Sequence, residues 1–155
     1  MSTIKPSGER VIDAPPAVVY NCIADYNQHH ANILAKEFHD LKVTGGSGVG
    51  AGTEIRFKAT MSGRTRDMRA EVTEPQPGRV LVESYPDVAS VTTFTVDPEG
   101  TGSRVRIDSE LTPTKGIEGV FERLFAKRML DGVYKRELAN LDAYARRRAA
   151  QPQES

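Results

Sequence analysis

The spacing of hydrophobic positions along this chain is helical near its start, alternating through its middle and helical again at its end. Residues 9–13, Glu-Arg-Val-Ile-Asp, read as a short strand that stops at Ala14-Pro15-Pro16. Proline suits the first position of a helix, where its missing N–H removes nothing. Val19, Cys22 and Ile23 then share one helical face, which predicts a short helix. The polar run Asp25-Tyr26-Asn27-Gln28-His29-His30 predicts a second short helix running toward Leu34.

From residue 37 the period is two. Strands are predicted at 38–43, 53–61, 79–85, 91–97 and 104–111, with one more carrying Met68, Ala70 and Val72. The clearest has Ile55, Phe57, Ala59 and Met61 on one face and Glu54, Arg56, Lys58 and Thr60 on the other. Ser62-Gly63 fits a two-residue hairpin turn. That turn sets Phe57 opposite Met68, Ile55 opposite Ala70 and Ala59 opposite Arg66. On the outer face it sets Lys58 opposite Asp67 and lets Arg56 reach Glu71 on the diagonal. The run Gly45-Gly46-Ser47-Gly48-Val49-Gly50-Ala51-Gly52 contains a loose dinucleotide fingerprint, Gly46-x-Gly48-x-x-Ala51. That fingerprint must open a helix, and a strand follows here, so the glycines read as a turn and bulge.

After Thr112-Pro113-Thr114 the period returns to 3.6. Ile117, Val120, Phe121, Leu124, Phe125, Leu130, Val133, Leu138 and Leu141 form a broad apolar stripe. It predicts one helix from 117 to about 150, on the order of 45–50 Å long. Asp131 with Lys135, and Asp142 with Arg146, are i,i+4 pairs for its exposed side. Residues 151–155 read as a disordered tail, leaving 1–150 as a single domain without internal repeats.

A strand, two short helices, six strands and one long helix make an α+β chain. A sheet of six or seven antiparallel strands has one face to bury and one apolar helix to bury it against. A curved sheet wrapped on the C-terminal helix is therefore predicted. Curved sheet and straight cylinder do not match, and the gap between them is where a ligand would sit.

Composition narrows the class. The 155 residues suit one domain, and 38 % hydrophobic content is low for a globular chain but above disorder. Basic and acidic residues number 21 each, without the excess expected of a protein that grips nucleic-acid backbone. A lone cysteine, Cys22, excludes a disulfide framework and a cysteine-rich zinc site. No apolar run reaches the roughly 20 residues of a membrane span, and the first residues carry no stretch of signal type. A cytoplasmic monomer or homodimer, without stable membrane insertion, is expected.

Val11-Ile12-Asp13-Ala14-Pro15-Pro16-Ala17-Val18-Val19-Tyr20, with the glycines ending Gly48-Val49-Gly50-Ala51-Gly52-Thr53, resembles the SRPBCC superfamily. These are the START-like helix-grip proteins, and more narrowly their polyketide cyclase/dehydrase-like branch. The resemblance implies a deep apolar cavity for lipids, polyketides, sterols or similar molecules. Binding or transport of a small hydrophobic or amphipathic molecule is the first function it implies. Cyclase or dehydratase chemistry in the same cavity is the alternative, with the catalytic residues unassigned. Asn27-Gln28-His29-His30-Ala31-Asn32 stands where relatives often carry Trp or Pro, which implies a different cavity mouth.

The cavity wall is predicted from Ile55, Phe57, Ala59, Met61, Arg66, Met68, Ala70, Tyr85 and Phe94 on the sheet. The helix adds Phe121, Leu124, Phe125 and Met129. Methionine and aromatic walls adapt to varied ligands. Tyr85 offers a phenol that can orient a ligand carbonyl or donate a proton. Ser84, Thr92 and Ser109 are further polar candidates by strand parity. Arg66, inward opposite Ala59, either snorkels to the mouth or meets a ligand acid. His29 or His30 could supply a polar group at that mouth. With His39 they make three histidines lacking further ligands at metal spacing, so neither a metal nor a cofactor is expected. Cys22 reads as an inert core thiol. The basic clusters Arg56, Lys58, Arg64, Arg66, Arg69 and Arg146-Arg147-Arg148 lack interleaved aromatics and read as solvated faces rather than a nucleic-acid site.

Overall fold

A computed structural model describes residues 3–113 and 119–151. The first half holds β1 (Ser7–Ile12), α1 (Pro16–Ala24), a 3-10 turn (His30–Asn32), β2 (Phe38–Gly45), β3 (Glu54–Met61) and β4 (Arg64–Gln76). Then come β5 (Val80–Tyr85), a 3-10 turn (Pro86–Val88), β6 (Ser90–Glu99), β7 (Gly102–Glu110) and α2 (Val120–Ala150). The strands form one curved, seven-stranded antiparallel sheet in the order β1-β7-β6-β5-β4-β3-β2. This is the predicted α+β helix-grip arrangement.

The β3–β4 hairpin has the register read from its sequence, with Phe57 opposite Met68, Ile55 opposite Ala70 and Ala59 opposite Arg66. Ser62 and Gly63 turn with φ of 52° and 78°, the positive pair that a primed two-residue turn needs. Lys58 meets Asp67 at 2.8 Å. The expected Arg56–Glu71 diagonal is replaced, because Arg69 takes Glu71 at 3.6 Å and Asp87 at 3.0 Å.

The second expected helix shrinks to a single 3-10 turn. Asp25 ends α1, accepting the N–H groups of His29 and His30 on its carbonyl and those of Asn27 and Gln28 on Oδ1. Four donors on one residue close the chain before a longer helix can propagate. The glycine run folds back here, Tyr26 N–H donating to the Gly48 carbonyl at 2.8 Å. Gly48 has φ 88°, and a Cβ at that position would collide with the Asn27 amide. A packing requirement explains this glycine.

The β1 edge of the sheet lies under α2. Ser7 N–H donates to Asp131 Oδ1 at 2.8 Å, giving an edge-strand donor a partner. Gly8 permits the approach, since a Cβ there would stand 3.2 Å from Leu138 Cδ1. Asp142 pairs with Arg146 as predicted and also with Arg10, both at 2.8 Å. Asp131, engaged with Ser7, pairs with Lys127 at 2.8 Å rather than with Lys135.

The apolar stripe of α2 is two faces, which corrects the single face predicted. Val133, Leu138 and Leu141 are buried against the sheet together with Ala126 and Ala145. Phe121 and Phe125 are exposed. At 3.6 residues per turn each lies about 160° around the helix from Leu141, so one sheet cannot cover both sets. Ile117 and residues 152–155 lie outside the described residues. The core centres on Ile12, Ile23, Ile55, Leu81 and Ile107 beneath Leu138 and Leu141, each 0–2 % exposed.

Candidate functional site

Between the sheet and the middle of α2 lies a pocket of about 30 Å³, room for about one water molecule. Its apolar wall is Leu34, Phe38, Leu41, Ile55, Phe57 and Phe94; its polar wall is His30, Glu83, Thr92, Tyr134 and Glu137.

Strand alternation turns Leu81, Glu83 and Tyr85 of β5 inward. Tyr26 and Tyr85 each donate a phenol hydrogen to a different oxygen of Glu83, both at 2.6 Å. Burial first, and the Glu83 carboxyl second, hold both phenols well above their ordinary pKa. His30 stacks on Tyr26 with ring centroids 4.3 Å apart. Its Nδ1 lies 2.6 Å from the Ile23 carbonyl, which can only accept. In the neutral ring the hydrogen is therefore on Nδ1, and Nε2 keeps a lone pair 3.7 Å from Glu83 Oε2.

Glu137 enters from α2. Ala35 N–H donates to its Oε2 at 3.2 Å, its one hydrogen bond among the described residues. Burial pushes its pKa from 4.5 up to about 8, the Ala35 N–H opposing and the Glu83 carboxyl reinforcing. At pH 7 it is mostly a neutral carboxylic acid, able to donate. Beside it, Thr92 Oγ1, Ser109 Oγ and Tyr134 OH form a hydroxyl chain with links of 2.7 and 2.5 Å. Burial pushes the Tyr134 phenol up to about 12. The Glu137 carboxyl, the Nε2 of His30 and a fixed hydroxyl thus share one small, largely apolar space.

Of the residues predicted for the wall, Ile55, Phe57 and Phe94 line this pocket. Ala70 is buried opposite Ile55. Tyr85 stands behind the pocket wall, edge-on to Phe57 and bound to Glu83. Ala59, Met61, Met68 and Met129 are half-buried and do not line it. Arg66 is exposed, because its position near the hairpin tip lies beyond the reach of the core. Phe121 and Phe125, 83 and 64 % exposed, turn away for the helical-phase reason above, whereas Leu124, near the phase of Leu138, is 44 % exposed on the first turns of the helix. Thr92 and Ser109 face inward as parity suggests, whereas Ser84 shares neither face nor pocket with Glu83.

His29 is buried, its Nδ1 2.7 Å from Tyr144 OH, and burial with help from Arg148 lowers its pKa. His39 is remote from the pocket, between Asp40 at 2.9 Å and Thr60 at 2.8 Å. Among the described residues no group of three or more His, Cys, Asp or Glu is placed to hold a metal ion. Burial pushes the Cys22 thiol up to about 11, which leaves it unreactive.

Glu83 and Glu137 are absent from the sequence-based set. Glu83 is hidden because Val80 and Val82 are apolar on the opposite parity. Glu137 had a signal: it lies four residues from both Val133 and Leu141, within the buried stripe.

The family model for polyketide cyclase / dehydrase and lipid transport matches residues 3–146. The chain belongs to that family. Among solved structures it is similar to the KanY protein, with 32 % identity over 94 % of this chain and 99 % of KanY and a TM-score of 0.80. A START superfamily protein from Mycobacterium smegmatis is 11 % identical, covering 92 % of this chain and 97 % of that one, with a TM-score of 0.75. The di-domain ARO/CYC StfQ from the steffimycin biosynthetic pathway is 14 % identical, over 97 % of this chain and 53 % of StfQ, with a TM-score of 0.76. At those last two identities the likeness is one of fold. No curated protein matches the chain.

Proposed function

We propose that this chain takes a small amphipathic, oxygen-bearing molecule of the polyketide or aromatic-ketone class into the pocket and performs acid–base chemistry on it, of the cyclase/dehydratase kind. The observation that carries this reading is the meeting of Glu83, Glu137 and His30 on one pocket wall, at 4, 6 and 3 % exposure. A simple carrier gains nothing from two buried carboxyls, whose desolvation costs several kcal/mol. An enzyme needs an acid and a base held apart in pKa at one place.

In a dehydration, His30 Nε2 takes the proton on the carbon beside a ketone, and Glu83 steadies the imidazolium. Tyr134 donates to the ketone oxygen. Glu137 gives its proton to the neighbouring hydroxyl, which leaves as water while the carbon–carbon double bond forms. Binding requires the pocket to widen. The half-buried wall of Leu34, Phe38 and Leu41 is the one to move, since β2 is an edge strand with two register shifts.

Carriage without chemistry is the second reading. It is favoured by Glu83, whose two oxygens are already occupied by phenols, as in a satisfied structural network. The aldol adduct of acetone and benzaldehyde separates the two, because its dehydration to the conjugated enone is read by ultraviolet absorbance. Wild type should accelerate this step, and Glu137→Gln or His30→Gln should slow it by about 10²–10⁴-fold. Binding of the adduct without acceleration supports carriage. Neither binding nor acceleration would count against both.

A further inference from the structure

The first turns of α2 carry Val120, Phe121, Leu124 and Phe125 at 80, 83, 44 and 64 % exposure. Among the described residues only Val11 and Val49 are comparably exposed large hydrophobics, and they lie elsewhere. Phe121 and Phe125 face away from the buried side of α2, and the exposed Val120 and Leu124 adjoin them on the same turns, so the four make one exposed apolar surface. Arg123, Lys127 and Arg128 stand on the same turns with Glu122, Lys127 being paired with Asp131 at 2.8 Å. Arg128 is exposed and makes no ion pair among the described residues. It follows Leu124 by four residues and Phe125 by three, so it projects from within the apolar cluster.

We infer that the first turns of α2 dock on an anionic lipid surface, with Phe121 and Phe125 entering the headgroup boundary and Arg128 meeting lipid phosphates. Aromatic and aliphatic side chains interleaved with Arg and Lys on one helix are the composition that such an interface selects. The inference goes beyond the pocket reading and does not rest on it. A second copy of the chain fits the patch less well. Two-fold pairing would bring Arg128 toward its own counterpart. Four apolar side chains also fall far short of the roughly 800 Å² per partner of a stable interface. An acidic protein would have to supply a matching groove for two protruding phenyl rings, whereas a bilayer accepts them without shape complementarity.

Flotation of the full chain with vesicles tests the inference, using equal parts phosphatidylcholine and phosphatidylglycerol against phosphatidylcholine alone. The chain should float with the anionic vesicles, less with the neutral ones, and less again as salt is added. Phe121→Ser with Phe125→Ser should lower binding at least about tenfold at an unchanged melting temperature. Arg128→Gln should lower it on anionic vesicles only. Absence of binding, or binding that survives the double substitution, overturns the inference. A dimer lost in the double variant, without vesicle binding, assigns the patch to a second copy and also overturns it. So does retention by an acidic protein without vesicle binding.

Discussion

Desolvation decides the state of Glu137, and its consequence can be measured as stability against pH. The folded chain holds this proton up to a pKa of about 8, while 4.5 applies to the unfolded chain. Stability from the neutral, buried acid is therefore complete below pH 4.5 and is lost as pH rises toward 8. Glu137→Gln keeps the shape and removes the titration. Its melting temperature relative to wild type should rise steadily across that window. A difference that stays flat would mean that Glu137 ionises as an exposed residue does. The phenols on Glu83 predict a different loss. Tyr26→Phe and Tyr85→Phe should each cost about 1–3 kcal/mol in denaturant unfolding, since each leaves one oxygen of a buried carboxyl without its donor. Costs near zero would show that water replaces the phenols freely. Thr53 is the contrasting case. Its hydroxyl is buried with no hydrogen-bond partner among the described residues. Thr53→Val should be neutral or stabilising, and a loss above about 1 kcal/mol would reveal an unseen partner.

Elements carry their information unevenly. The β3–β4 hairpin was legible because both faces of each strand are chemically distinct, so a one-residue slip would bury Lys58 and expose Phe57. β5 was not legible in the same way, because Val80, Leu81 and Val82 make both of its faces apolar and conceal the inward Glu83. The stripe on α2 reads as continuous when apolar residues are counted, yet turns in phase between Phe125 and Val133 when they are placed on the helix. Two aspartate substitutions separate these faces. Leu138→Asp puts a charge at a position 1 % exposed and should cost several kcal/mol. Phe125→Asp, at 64 % exposure and about 140° around the helix from Leu138, should cost less than about 1 kcal/mol. Equal losses in thermal melts would contradict the two-faced helix.

At the scale of the whole molecule, one sheet divides its chemistry between two faces. The outer face carries ion pairs such as Arg104 with Glu9 and Glu99 and Arg79 with Asp97, each exposed and each worth little alone. The inner face carries the core and, where β5 and β6 pass under α2, the pocket with its one polar wall. The order of elements, the grip of the helix and the family were legible in the sequence. The position of the candidate site within the gap was not, because it depends on the phase of α2 and on which tyrosines reach Glu83. That pocket is where the proposed ligand binds. Amide and methyl shift mapping, with the aldol adduct of acetone and benzaldehyde titrated into isotope-labelled protein, tests it most directly. Shifts should converge on Phe57, Phe94, Tyr134 and the backbone around His30, with Glu137→Leu weakening the response. Shifts confined to Phe121 and Phe125, or to the hairpin tip around Arg66, would contradict it.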